Sequence, residues 1–213
     1  MAPEPLSPGR DAPGSRRVGV LALQGDFAAH AHALRCLGAR VAEIRRPVQL
    51  RDIDGLVIPG GESTAFLVLM GDEFAPALRE FHARGRPIYG TCAGLILLAR
   101  EVLGPRQSSL GLIDVTVERN AYGRQRESFE ADLDGDLEGG SARLHAVFIR
   151  APRIRRVGPT VRVLASLGQE PVLVRSGPVV VSTFHPELTE HLAVHRYFLG
   201  MGATAALTGP SVG

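Results

Sequence analysis

The sequence predicts an α/β fold: an open, mostly parallel twisted sheet with helices on both faces, continued by an antiparallel extension. Three observations carry this expectation. In the first half of the 213 residues, short apolar runs alternate with helix-length segments, an order that builds a parallel sheet covered on both sides. From about Gly111 the apolar runs follow one another directly, as antiparallel strands do. The residues with chemical reach fall at the ends of apolar runs, where open α/β sheets carry their sites.

Arg17 to Leu23 reads as the first buried strand, with Val18, Val20, Leu21 and Leu23 apolar. Phe27 to Leu37 follows as a helix closed by Gly38, then Val41 to Ile44 and Gly55 to Ile58 as strands. Thr64 to Met70 and Ala75 to Arg84 read as two helices, the second ended by Gly85. Pro87-Ile88-Tyr89 forms a strand leading into a helix expected to stop at Gly104. Ile113, Val115 and Val117 then alternate with polar residues, the period of a half-buried strand. Leu144 to Ile149, Val161 to Leu167, Pro171 to Val174 and Val179 to Phe184 are further strands, and Leu188 to Leu199 a closing helix. Residues 1–16 are rich in Pro, Gly and Ser and lack an apolar signal region. They read as a disordered leader to one domain over residues 17–200, with 201–213 as a flexible tail.

Composition removes several chemistries. All 24 basic side chains are arginine, which excludes a Schiff-base lysine and a phosphate-binding Walker lysine. Net charge is only +2, and the densest basic stretch, Arg150 to Arg156, has no interleaved aromatics, so nucleic acid is not an expected partner. No apolar run is long enough to span a bilayer, so no membrane partner is expected. The absence of targeting signals makes the cytoplasm the expected location. The two cysteines, Cys36 and Cys92, fit neither a disulfide framework nor a zinc site. Cys36, in a helical pattern, is expected in the core.

Cys92 lies in Gly90-Thr91-Cys92-Ala93-Gly94, a G-x-C-x-G nucleophile elbow with sulfur in the place of a serine hydroxyl. A sharp strand-to-helix turn needs small flanking residues, and a helix N-terminus favours the thiolate. The strand Val179 to Phe184 runs into His185-Pro186-Glu187. In extended chain, residues i and i+2 share a side, so Glu187 is expected beside the His185 ring. Cys92, His185 and Glu187 are thus the parts of an activated-thiol triad. Pro59-Gly60-Gly61-Glu62-Ser63 between strand and helix suits an oxyanion hole, formed by the Gly61 and Ala93 N–H groups. Arg119 and Arg150, after strand candidates, are suited to gripping a substrate carboxylate. The remaining histidines carry weaker signals: His30 and His32 diverge on a helix, and His191 and His195, four apart, read as a solvated face. No metal site is indicated.

Taken together, Thr91-Cys92-Ala93-Gly94 and Ser182-Thr183-Phe184-His185-Pro186-Glu187-Leu188 resemble the class I (triad) glutamine amidotransferases. Leu23-Gln24-Gly25, the Gly60-Gly61-Glu62-Ser63 loop, Glu118-Arg119-Asn120 with Gly123-Arg124-Gln125, Ser128-Phe129-Glu130 and Phe148-Ile149-Arg150-Ala151-Pro152 narrow the resemblance to the PdxT (SNO) family. Members of that family are glutaminase subunits of pyridoxal 5'-phosphate synthase. The resemblance runs from about Arg17 to Leu199 and implies a flavodoxin-like, class I amidotransferase sheet. It implies that Cys92 is the nucleophile, His185 the general base and acid, and Glu187 its orienter. Gly61, Glu62, Ser63, Arg119, Ile149 and Arg150 would contact glutamine, and Gln24 would support the site near a partner surface. The implied reaction is hydrolysis of L-glutamine to L-glutamate and ammonia through a γ-glutamyl thioester, with no metal or organic cofactor. Ammonia would pass to a separate synthase subunit in a hetero-oligomer.

Other readings of the same residues are another class I amidotransferase or γ-glutamyl hydrolase, a catalytically silent binding subunit, and an elbow-cysteine redox sensor. His-Pro-Glu after a strand disfavours the sensor, whose thiol needs no such base.

Overall fold

In the computed structural model, which describes residues 16–119, 128–137 and 140–201, the apolar runs assemble into a sheet of nine strands. Strand β1 (Arg17–Leu21) is flanked by β2 (Arg40–Ile44) and β3 (Gly55–Ile58), all parallel, with helix α1 (Phe27–Cys36) crossing between the first two. Helix α2 (Ser63–Ala83) leads to β4 (Ile88–Thr91), which pairs parallel with β3. After β4 come the short helix α3 (Ala93–Leu98), β5 (Ala99–Leu103), β6 (Ile113–Glu118), β7 (Ser128–Leu137), β8 (Gly140–Ile149) and β9 (Arg153–Val157). The chain then forms β10 (Arg162–Leu167), β11 (Glu170–Ser176), β12 (Val179–Ser182) and helix α4 (Ala193–Gly200).

The sheet order β2-β1-β3-β4-β12-β11-β10-β7-β8 changes character at β12. On one side lie four parallel neighbours; on the other, β11, β10, β7 and β8 run antiparallel in turn. A parallel core with an antiparallel extension is therefore what the chain builds, as its pattern predicts.

The central strands are buried on both faces, and their alternate residues feed two separate cores. Leu56, Ile58, Val179 and Val181 pack with Phe66, Phe74, Leu78 and α3 on one face. Val18, Val20, Val57 and Val180 pack with Leu34, Val194 and Phe198 on the other. Register fixes the site. Ile88 to Thr91 pairs in phase with Val179 to Ser182, so Cys92 and the Thr183–His185 segment leave the sheet at the same edge.

Several local expectations change. The helix after the elbow ends at Leu98, not Gly104, because residues 99–103 pair with β6 as strand β5; with β9 these form a second, three-stranded sheet. Strands β7 and β9 go unread in the sequence. The former is mostly acidic and polar, and the latter is arginine-rich, its charges facing carboxylates across the strands: Arg155 to Glu118 and Arg156 to Asp114. The two helices expected at 64–84 are both present within α2 and meet at Gly71, whose φ of 54° and ψ of −163° interrupt the helical backbone. The closing helix is shorter than expected, a 3-10 turn (Pro186–Leu188) followed by α4. Cys36 is exposed, with Sγ 3.5 Å from His32 Nε2, because the buried side of α1 is taken by His30, Ala31, Ala33 and Leu34. His195, expected on a solvated face, is wholly buried. The tail, most of the leader, Asn120 and the Gly123-Arg124-Gln125 run lie outside the described residues.

Candidate active site

The elbow begins with a strained residue. Cys92 has φ 48° and ψ −100°, a conformation that costs an ordinary side chain about 1–3 kcal/mol unless its surroundings impose it. They do: the Cys92 N–H donates to Ser182 O at 2.9 Å, and its carbonyl accepts from Ile96 N–H at 3.1 Å. Gly94 lets the turn close, since a Cβ there would lie 2.2 Å from the Ile58 carbonyl oxygen. The thiol is thereby held at the start of α3, nearly buried at the carboxyl end of β4.

His185 arrives from β12, its N–H bonded to Val147 O of β8 at 2.8 Å. Its ring lies flat against the Gly60 turn, where a Cβ on Gly60 would meet His185 Cε1 at 2.3 Å. His185 Nδ1 donates to Glu187 Oε1 at 2.8 Å, leaving the other ring nitrogen to face Cys92. The histidine and glutamate meet as expected, but through a turn. Pro186 starts a 3-10 turn, so the acid reaches the ring without an extended backbone. Burial works against an imidazolium here, and the Cys92 and Glu187 partners overcome it, lifting His185 to about 10. Burial likewise opposes ionisation of Glu187, yet His30 and His185 hold its carboxyl far below the usual carboxylate range. An imidazolium at His185, steadied by a buried carboxylate and facing the Cys92 sulfur, is the electrostatic result.

A cavity of about 150 Å³ opens at the sulfur. Gly61, Glu62, Ser63, Cys92, Arg119, Ile149, Arg150 and His185 all line it, so the residues singled out in the sequence converge from five separate stretches of chain. Their immediate partners are specific. Glu62 caps α2 by accepting the Ala65 N–H at 2.7 Å, and its other oxygen pairs with Arg119 at 3.3 Å. The Ser63 hydroxyl is buried and donates to Gln107 Oε1 at 2.9 Å. Gln24 brackets the Glu62 backbone, donating to its carbonyl at 2.9 Å and accepting its N–H at 3.2 Å, which anchors the Gly61 turn. Ala93 is fully buried and opens α3, whose first N–H groups have no partner inside the helix.

Asp26, Ile96 and Pro152 also line the cavity and were not found from the sequence. Asp26 is the N-cap residue of α1, and its side chain makes no capping bond. Among the described residues, Asp26, His185 and Glu187 form one group with ligand atoms within 4.8 Å of one another. Two of these three are already engaged with each other, so a cation bound there would compete with the His185–Glu187 hydrogen bond.

With this geometry in view, comparison with known proteins is specific. Residues 20–203 match the SNO glutamine amidotransferase family. A pyridoxal 5'-phosphate synthase subunit PdxT from Koribacter versatilis is 54% identical over 185 residues, spanning 87% of this chain and 95% of that protein. The PdxT subunit from Deinococcus radiodurans is 53% identical over 196 residues, 89% and 98% of the two chains. A crystal structure of a glutamine amidotransferase superposes with a TM-score of 0.80 at 51% identity, covering 86% of this chain and 97% of its own. The structure of PurLQS from Thermotoga maritima shares the fold, with a TM-score of 0.65 at 20% identity over 87% of this chain and 98% of that one.

Proposed function

We propose the function of this chain from one premise: it belongs to the SNO glutamine amidotransferase family. It is a glutaminase, the amidotransferase subunit of a pyridoxal 5'-phosphate synthase. It hydrolyses L-glutamine to L-glutamate and ammonia, and the ammonia serves a partner synthase subunit in a hetero-oligomer.

The assignment of roles is our own reading, and one observation carries it: His185 stands between the Cys92 thiol and the buried Glu187 carboxylate. Cys92 is the nucleophile. Its thiolate attacks the side-chain carboxamide carbon, and the C–N bond breaks as His185 passes a proton to the departing nitrogen, releasing ammonia. His185 then takes a proton from water, which attacks the γ-glutamyl thioester and frees glutamate and the thiolate. Glu187 keeps the ring in one tautomer throughout. The N–H groups of Gly61 and Ala93 receive the oxyanion, a donor pair in which each member contributes about 3–4 kcal/mol to the transition state. Arg119 and Arg150 offer guanidinium groups to the α-carboxylate, with Glu62, Ser63 and Ile149 completing the pocket. Gln24 holds the Gly61 turn. No step here calls on a metal or organic cofactor. The two free thiols fit a reducing compartment, and we assign the chain to the cytoplasm on that ground.

The test is covalent trapping with the synthase subunit present. Treatment with a diazoketone analogue of glutamine should label one residue, Cys92, and labelling should vanish in Cys92→Ala. Labelling at Cys36 alone, or none, would overturn the assignment.

A further inference from the structure

A second buried polar group lies directly behind the triad and has no part in the chemistry just described. His30 of α1 and His195 of α4, 165 residues apart, are both fully buried, with His30 Nδ1 2.9 Å from His195 Nε2. The other nitrogen, His30 Nε2, lies 3.1 Å from Thr91 Oγ1 and 3.3 Å from Glu187 Oε2. Among the described residues, Glu187 Oε2 makes no conventional hydrogen bond, and the His30 N–H, shared with Thr91, is the donor that faces it. Tyr89 stands edge-on to both imidazoles with centroids 6.1 and 6.0 Å away, and its hydroxyl is committed to Ser182 at 2.9 Å.

We infer that His30 is a positioning residue for glutamine hydrolysis: it fixes the rotation of the Glu187 carboxylate, and through it the His185 ring, from behind. This rests on the triad reading above.

The hydrogen-bond pattern selects one tautomer for the pair. Among the described residues, His195 Nδ1 has no hydrogen-bond partner. If His195 donates from Nε2 to His30 Nδ1, the orphan is a bare lone pair. The reverse arrangement would bury an N–H with no acceptor, the costlier outcome. His30 therefore accepts at Nδ1 and donates from Nε2 towards Glu187 and Thr91. The carboxylate is hydrogen-bonded to His185 at one oxygen and faces the His30 N–H at 3.3 Å with the other, an attraction that opposes rotation about its otherwise broad terminal torsion. Thr91 precedes the nucleophile, so the same N–H also ties α1 to the elbow strand. The groups facing His30 are thus Thr91, Glu187, Tyr89 and His195, and His185 lies one carboxylate away.

Two polar substitutions separate this role from core packing. The amide of His30→Gln can occupy the Nε2 position and reach Glu187; that of His30→Asn occupies the Nδ1 position, meets His195 and stops short of the acid. With the synthase subunit present, His30→Gln should keep kcat within about 5-fold, whereas His30→Asn should lose about 100-fold, the scale of an ångström misplacement of a catalytic group. KM for glutamine should stay within about 2-fold in both, since neither touches the cavity. The low-field proton resonance of the His185–Glu187 hydrogen bond should persist in His30→Gln and shift or broaden in His30→Asn. Equal kcat in the two folded variants, or an unchanged resonance in His30→Asn, would overturn the inference. If His30→Asn does not fold, His30→Gln decides: parental kcat with the resonance in place upholds the inference, and its loss in that folded variant overturns it. Cys92→Ala, assayed alongside, separates the two claims. Activity surviving that change would sink the triad, whereas its loss there with both His30 variants fully active would sink the positioning role alone.

Discussion

Each triad residue depends on a neighbour that suppresses an alternative state. Cys92 is kept in its positive-φ conformation by Ser182 and Ile96, and His185 is kept from rotating by Glu187 and the Gly60 backbone. His185, raised to about 10, should titrate by imidazole NMR in that region, and in Glu187→Gln its midpoint should fall towards 6.5. An unchanged midpoint would mean that the acid does not stabilise the imidazolium. His195 behaves in the opposite sense: burial pushes it down to about 3, so it is neutral when folded. Between 6.5 and about 3 the unfolded chain binds a proton that the folded chain excludes, so stability falls as pH falls through this window. Urea unfolding from pH 6.5 to 5 should therefore show a flatter loss of stability in His195→Leu than in the parent. The difference should reach about 1.4 kcal/mol per pH unit. Parallel slopes would refute this account of His195.

At the scale of elements, two close approaches have different consequences. Gly94 meets the Ile58 carbonyl, part of a buried strand that cannot retreat, so Gly94→Ala should destabilise the whole fold by several kcal/mol, of order 3 or more. A Cβ on Gly60 would press first on the His185 ring, a side chain and not a fixed backbone. Gly60→Ala should leave the melting temperature within a few degrees while lowering kcat by about 100-fold. Thermal unfolding and ammonia release, measured on both variants, check the contrast; a Gly60→Ala protein with parental kcat would count against the His185 position. Glu62 joins the start of α2 to the residue that follows β6. Its carboxylate caps α2, where the Ala65 and Thr64 groups and Arg119 outweigh a slight burial and lower its pKa. Arg119 is thereby paired before any substrate arrives.

For the molecule as a whole, the sheet brings both catalytic segments out at one edge, next to the loops that line the cavity. A glutaminase working alone would release ammonia that no acceptor uses. We expect ammonia release to rise strongly when the synthase subunit docks and completes the oxyanion hole around Gly61. Equal rates with and without that subunit would refute the dependence. Among the described residues, no helix is long and apolar enough to cross a membrane.

Legible in the sequence were the strand–helix alternation, the elbow around Cys92 and the pairing of His185 with Glu187. Each is a local pattern: a period, a glycine pair or a spacing that a few neighbouring residues impose. What those patterns meet was set by the packing of distant elements. It buried His195 where spacing suggested a solvated face, exposed Cys36 where a core position was expected, and joined His30 to Glu187. Helical periodicity reveals which side of α1 turns inward, but not that a polar residue on that side will find a carboxylate from the far end of the chain. Burial of an imidazole is tolerable only when distant elements supply its hydrogen-bond partners, and that pairing exists only once the sheet has closed.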